Sequence, residues 1–73
     1  MLKIYTTTTC AYCAMVKKFL DLKGQKYEVI NLDEQPEKVE EAISLSGSLA
    51  VPITTNGTDV VVGFVPSKLM GLL

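Results

Sequence analysis

The chain has 73 residues, 48% of them hydrophobic, and a formal net charge of −1. That apolar content excludes intrinsic disorder, and the length predicts one compact domain over residues 1–73. Seven lysines, eight acidic residues and no arginine argue against nucleic acid, which binds through clustered cations and bidentate guanidinium contacts.

The opening Met-Leu-Lys-Ile-Tyr shows no apolar signal core, and no apolar run approaches membrane-spanning length. The expected setting is therefore cytoplasmic and reducing, with no membrane partner. There, a close pair of cysteines is more often catalytic or metal-binding than a staple.

In chain order, Leu2, Ile4 and Thr6 alternate with Lys3 and Tyr5 in a first predicted strand. Thr6 to Thr9 end it, and Thr9 is an acceptable helix N-cap. From Cys10 to about Leu22 apolar residues recur at helical spacing: Cys13, Val16 and Leu20 on one face, with Met15, Phe19 and Leu22 beside it. Lys17, Lys18 and Asp21 fall on the wet side, and Gly24 closes the helix after Lys23. Tyr27 to Leu32 reads as a second strand, which makes the first half a β-α-β unit.

Pro36 and Glu37 open a second helix with Val39, Ala42 and Ile43 as its apolar stripe, and Gly47 ends it. Val51–Thr54 and Thr58–Val62 flank Asn56-Gly57, a strong two-residue hairpin signal. After Gly63, Pro66–Leu73 allows two helical turns with Leu69, Leu72 and Leu73 available to the core. The order β-α-β-α-β-β-α predicts an α/β fold with a mixed four-stranded sheet flanked by helices on both faces.

Cys10 and Cys13 stand at the junction of the first strand and first helix. In the first helical turn, unpaired N–H groups and the macrodipole favour a negative charge, which lowers a thiol pKa from about 8.5 into the range of about 3.5–7.5. Cys10 is then the nucleophilic thiolate. Residues three apart on a helix have Cβ atoms about 5–6 Å apart, near the separation a disulfide needs, so a small adjustment closes the bond. Cys13, on the core side, is the shielded thiol that attacks once Cys10 is tied in a mixed disulfide. A stapling role is weakly motivated, because so short a loop removes little unfolded-state entropy. Metal binding within one chain is disfavoured by the absence of histidine and of further cysteines. An iron–sulfur cluster or metal shared across a dimer stays open as a binding-module alternative.

Ile4-Tyr5-Thr6 followed by Cys10-Ala11-Tyr12-Cys13 resembles the opening of a glutaredoxin. Tyr27 to Asp33 resembles that family's second strand, and Val51-Pro52 its Val-Pro segment. Gly63-Phe64-Val65-Pro66 followed by Leu69 is similar to the NrdH-type redoxins, hydrogen donors of ribonucleotide reductase. The resemblance spans essentially the whole chain and implies a thioredoxin-like fold of glutaredoxin type. It implies that Pro52 is cis and faces the cysteines, and that Val51 offers backbone hydrogen bonds to an extended substrate. It also implies that Tyr12 partly covers the sulfurs; a tyrosine simply exposed on the helix is the equally weighted alternative. Phe64 is a candidate contact for a partner protein, with a place in the core or at its rim as the equal alternative.

The departures from the family pattern bear on the reductant. Glutaredoxins usually carry Lys or Arg three residues before the first cysteine, where this chain has Thr7. The Thr that precedes Val-Pro is Ala50 here. The turn that holds the γ-glutamyl end of glutathione is replaced by Val65-Pro66-Ser67, and Pro66 has no N–H to offer. A charged contact is worth about 1.5–3 kcal/mol, so losing one or two costs about 10- to 100-fold in affinity. The expectation is a monomeric dithiol oxidoreductase for protein disulfides with no cofactor beyond its redox-active disulfide, recharged by a thioredoxin-reductase-like flavoenzyme. A glutathione-dependent glutaredoxin is the alternative.

Overall fold

The computed structural model describes residues 2–8, 10–47 and 50–73. In chain order these form β1 (Leu2–Thr6), α1 (Ala11–Leu22), β2 (Tyr27–Asn31), a 3₁₀ turn at Pro36–Lys38, α2 (Val39–Ser46), β3 (Ile53–Thr55), β4 (Val60–Val62) and α3 (Pro66–Met70). Among the described residues the sheet has four strands in the order β2-β1-β3-β4. β1 runs parallel to β2, and the β1–β3 and β3–β4 pairs are antiparallel. The expected element order and mixed sheet are both present.

β1 is an inner strand with helices on both sides, so both of its faces carry buried side chains and Lys3 alone in the strand is exposed. Leu2 and Ile4 pack with Val16 and Leu20 of α1, Val61, Leu69 of α3 and Leu72. Tyr5 faces the other way, onto Ile30, Leu32, Ile53 and Ala42 of α2. Burial of each large aliphatic side chain contributes about 1.5–3 kcal/mol.

Only part of the α1 apolar set reaches that core. Cys13, Val16 and Leu20 are buried, whereas Met15 is exposed and Leu22 is 77% exposed. At about 100° per residue the three buried positions share an arc of about 60°. Phe19 lies about 90° from its centre and is half-buried, while Met15 and Leu22 lie more than about 130° away. One helix face meets the sheet, and the flank turns to solvent.

Other boundaries shift for local reasons. β2 stops at Asn31, one residue early, because the Asn31 carbonyl accepts the N–H groups of Glu34 and Gln35 and opens a turn. The second helix is divided: Val39 N–H bonds back to the Pro36 carbonyl in a 3₁₀ turn, and α-helix begins only at Val39. Ala42 is buried there, but Ile43 is exposed. α3 ends at Met70; Leu69 and Leu72 join the core, and Leu73 faces solvent.

The expected two-residue Asn56-Gly57 turn is a four-residue loop, since Thr55 pairs with Val60. Side chains replace the missing rungs. Asn56 Oδ1 accepts the N–H groups of Thr58 at 2.9 Å and Asp59 at 2.7 Å, while Thr55 Oγ1 accepts the Gly57 N–H at 3.1 Å and donates to the Asp59 carbonyl at 2.8 Å. Gly57 takes φ 98°, which a side chain would oppose.

Tyr5 is 1% exposed, and its hydroxyl donates to Glu41 Oε2 at 2.7 Å, tying β1 to α2. Burial first, then the Glu41 hydrogen bond and charge, push Tyr5 from 10.0 up to about 12. The folded phenol thus holds its proton more tightly than the unfolded one. Its contribution to stability is complete below pH 10 and lost as the pH rises towards about 12. Denaturant titrations across that window will show a steeper alkaline loss for wild type than for Tyr5→Phe; parallel curves would refute the coupling.

Thr54 lies opposite Ile4 and Val61 at the centre of the sheet, fully buried. Its hydroxyl has no hydrogen-bond partner among the described residues. Thr54→Val removes that unpaired group at nearly constant volume, so stability will rise by about 1 kcal/mol and the melting temperature by about 4–8 °C. An unchanged or lower melting temperature would show that the hydroxyl is satisfied in solution.

Candidate active site

The cysteines occupy the turn from β1 into α1, and they are joined as a disulfide with a Cα–Cα distance of 5.3 Å. Cys10 is not inside the first turn, as the sequence reading has it, but is itself the N-cap, with extended backbone at φ −147° and ψ 106°. Thr9, the expected cap, lies outside the described residues. The Cys13 N–H donates to Cys10 Sγ at 3.2 Å. This is the bond that a serine or aspartate oxygen makes at a helix start, made here by sulfur.

Burial separates the two sulfurs. Cys10 is half-exposed, while Cys13 is 1% exposed and faces the core beside Val16 and Leu20. Between them, Tyr12 is 61% exposed, and its hydroxyl has no hydrogen-bond partner among the described residues.

The Val51–Pro52 peptide is cis, as the resemblance implies. Pro52 is buried and its carbonyl accepts the Gly63 N–H at 2.7 Å, which ties the segment to the end of β4. Val51 is half-buried, and its backbone N–H and carbonyl have no partner among the described residues. Phe64 follows Gly63 and packs edge-on against Phe19, with ring centroids 6.3 Å apart and an interplanar angle of 78°. Met15, Lys18, Phe19, Leu22 and Phe64 line a shallow, largely apolar depression along α1, and Lys23 Nζ stands 5.6 Å from the Phe19 ring.

The structure joins Cys10, Tyr12 and Cys13 in one turn, and it places Phe64 against the middle of α1. Asn31 and Asp33 stand beside this turn and are not among the site residues expected from the sequence. Asp33 Oδ2 accepts the Thr8 N–H at 2.8 Å, and the signal was an Asn-Leu-Asp sequence ending a strand parallel to β1. Among the described residues no group of three or more His, Cys, Asp or Glu is placed to hold a metal ion. Among the described residues no helix is long and apolar enough to cross a membrane.

A disulfide at a helix start, with one sulfur accessible and the other buried, on a β-α-β-α-β-β-α sheet, defines a thiol–disulfide redoxin of the thioredoxin-like class. The glutaredoxin family model matches residues 2–60, and the chain belongs to that family. The glutaredoxin-like protein NrdH of Lactococcus lactis subsp. lactis is 40% identical over 72 residues, covering 99% of each chain. The crystal structure of glutaredoxin grx-1 from Archaeoglobus fulgidus superposes with a TM-score of 0.90 at 33% identity, over 97% of this chain and 83% of that one. The NrdH-redoxin of Escherichia coli, described as glutaredoxin-like with a thioredoxin-like activity profile, superposes with a TM-score of 0.85 at 30% identity, over 99% and 93% of the two chains.

Proposed function

We propose that the protein reduces protein disulfides, with Cys10 as the nucleophile and Cys13 as the resolving thiol. The observation that carries this reading is the Cys13 N–H directed at an accessible Cys10 sulfur at the α1 N-cap, while the Cys13 sulfur is buried. Once the pair is reduced, that N–H and the positive end of the helix favour thiolate at Cys10.

The Cys10 thiolate attacks one sulfur of the substrate disulfide, and the departing thiolate takes a proton. Cys13 then attacks Cys10 Sγ, releases the second substrate thiol and closes the disulfide seen here. Two electrons pass from the protein to the substrate, Cys13 supplies one proton and solvent the other, and the cysteine pair is the redox group that the reaction uses. Val51, whose backbone groups have no partner among the described residues, receives the substrate as an added strand beside Pro52. Tyr12 and Phe64 supply apolar contact.

The reductant is a thioredoxin-reductase-like flavoenzyme, and a ribonucleotide reductase is a fitting acceptor. The resemblance to NrdH proteins and the thioredoxin-like profile ascribed to the Escherichia coli protein support this reading. So does α3, where Val65 makes no side-chain cap bond and Pro66 offers no N–H at the helix start that would meet glutathione. The proposed setting is the cytoplasm, and the proposed working unit is the monomer.

Oxidised protein would be reduced anaerobically by NADPH with thioredoxin reductase, or by NADPH with glutathione and its reductase. Rapid reduction by the first system alone supports the proposal. Reduction by glutathione alone makes the protein a glutathione-dependent glutaredoxin.

A further inference from the structure

The segment that leads into Cys10 is held from a distant part of the chain. β1 ends at Thr6, so Thr7 and Thr8 lie beyond the last rung of the sheet. The end of β2 and the turn after it hold Thr6 and Thr8. Leu32 N–H donates to the Thr6 carbonyl at 2.7 Å, Thr8 N–H donates to Asp33 Oδ2 at 2.8 Å, and Asn31 Nδ2 stands 3.5 Å from Thr8 Oγ1.

Asp33 is itself braced. Its N–H donates to Asn31 Oδ1 at 2.9 Å, and the Asn31 carbonyl accepts Gln35 N–H at 2.8 Å and Glu34 N–H at 3.1 Å. Leu32, between them, is buried in the α2-side core. The carboxylate is exposed but stands on a fixed base. A charged acceptor makes the stronger kind of hydrogen bond, and a bond to a loop amide offsets the entropy of ordering that loop.

We propose that Asp33 is a positioning residue for the redox site: by accepting the Thr8 N–H it holds the approach to α1 so that Cys10 enters the helix as its N-cap. Asp33 acts through Thr8, two residues before Cys10, and the inference rests on the roles proposed above for Cys10 and Cys13. The bond spans 25 residues of sequence, so only the folded chain creates it.

The test compares Asp33→Ala with Asp33→Asn. Both variants lack the charge, so its direct effect on the sulfur cancels between them, and only Asn keeps an acceptor. Read well below the melting temperature of each variant, kcat/KM for disulfide reduction will fall about three- to tenfold in Asp33→Ala and stay within about twofold of wild type in Asp33→Asn. The pH profile of Cys10 alkylation will be displaced upwards in Asp33→Ala relative to Asp33→Asn. Identical rates and profiles for the two variants would overturn the proposal. So would a Thr8 amide that exchanges with solvent as fast as an unprotected one in the wild-type protein, a measurement that needs no variant. If wild type reduces no disulfide, the proposed function fails, and the alkylation profiles and Thr8 exchange still decide the role of Asp33.

Discussion

Cys10→Ser will lower disulfide reduction by at least about a thousandfold, because a serine hydroxyl is not ionised near neutral pH and forms no disulfide. The substitution leaves the helix start intact. Serine is a preferred N-cap, and its Oγ can accept the Cys13 N–H that now reaches the Cys10 sulfur at 3.2 Å. Loss of activity without loss of melting temperature then reports chemistry rather than folding. Cys13→Ser keeps the attacking thiol and removes the resolving one, so a mixed disulfide with the substrate will accumulate, visible as added mass. A fully active Cys10→Ser protein, or trapping by Cys10→Ser instead of Cys13→Ser, would reverse the roles assigned to the two sulfurs.

Leu20→Ala will bring the fold close to its stability limit. Leu20 is fully buried between α1 and the sheet, in the cluster that contains Leu2, Ile4, Val16, Val61 and Leu69. Its truncation removes apolar burial and leaves a cavity, at a cost of about 2–5 kcal/mol. At about 0.05–0.15 kcal/mol per residue, a 73-residue chain has about 4–11 kcal/mol in total. The melting temperature will fall by more than about 10 °C. Leu22→Ala is the matched control: the same chemical change, two residues further on, at a side chain that is 77% exposed. Its effect will stay within about 0.5 kcal/mol. Equal losses in the two variants would mean that α1 is rotated relative to the sheet.

Much of this molecule is legible in local pattern. Strand and helix types follow from the spacing of apolar residues, because a period of two or of about 3.6 decides which side chains share a face. Gly24 and Gly47 mark helix ends, since both adopt positive φ. The cysteine pair was identifiable from its place between a strand and a helix, where helix-end electrostatics act over a single turn.

The remaining features arise where distant segments meet. Apolar spacing puts Met15 and Leu22 beside the core face of α1, but packing against one face of the sheet admits a narrower arc than that spacing suggests. Asn56-Gly57 suits a two-residue turn on its own, and the loop opens to four because Thr55 and Asn56 capture backbone groups as far as Asp59. Tyr5 finds Glu41 across 36 residues, and Thr8 finds Asp33 across 25. Glu41 carries no local mark, and Asn-Leu-Asp points to Asp33 only once β2 is known to lie beside β1, because a donor selects among all the acceptors that the fold brings near it. Cys10 became the cap rather than a first-turn residue for a related reason. A helix starts where a side chain can satisfy its free N–H groups, and here the Cys10 sulfur is in place to accept one.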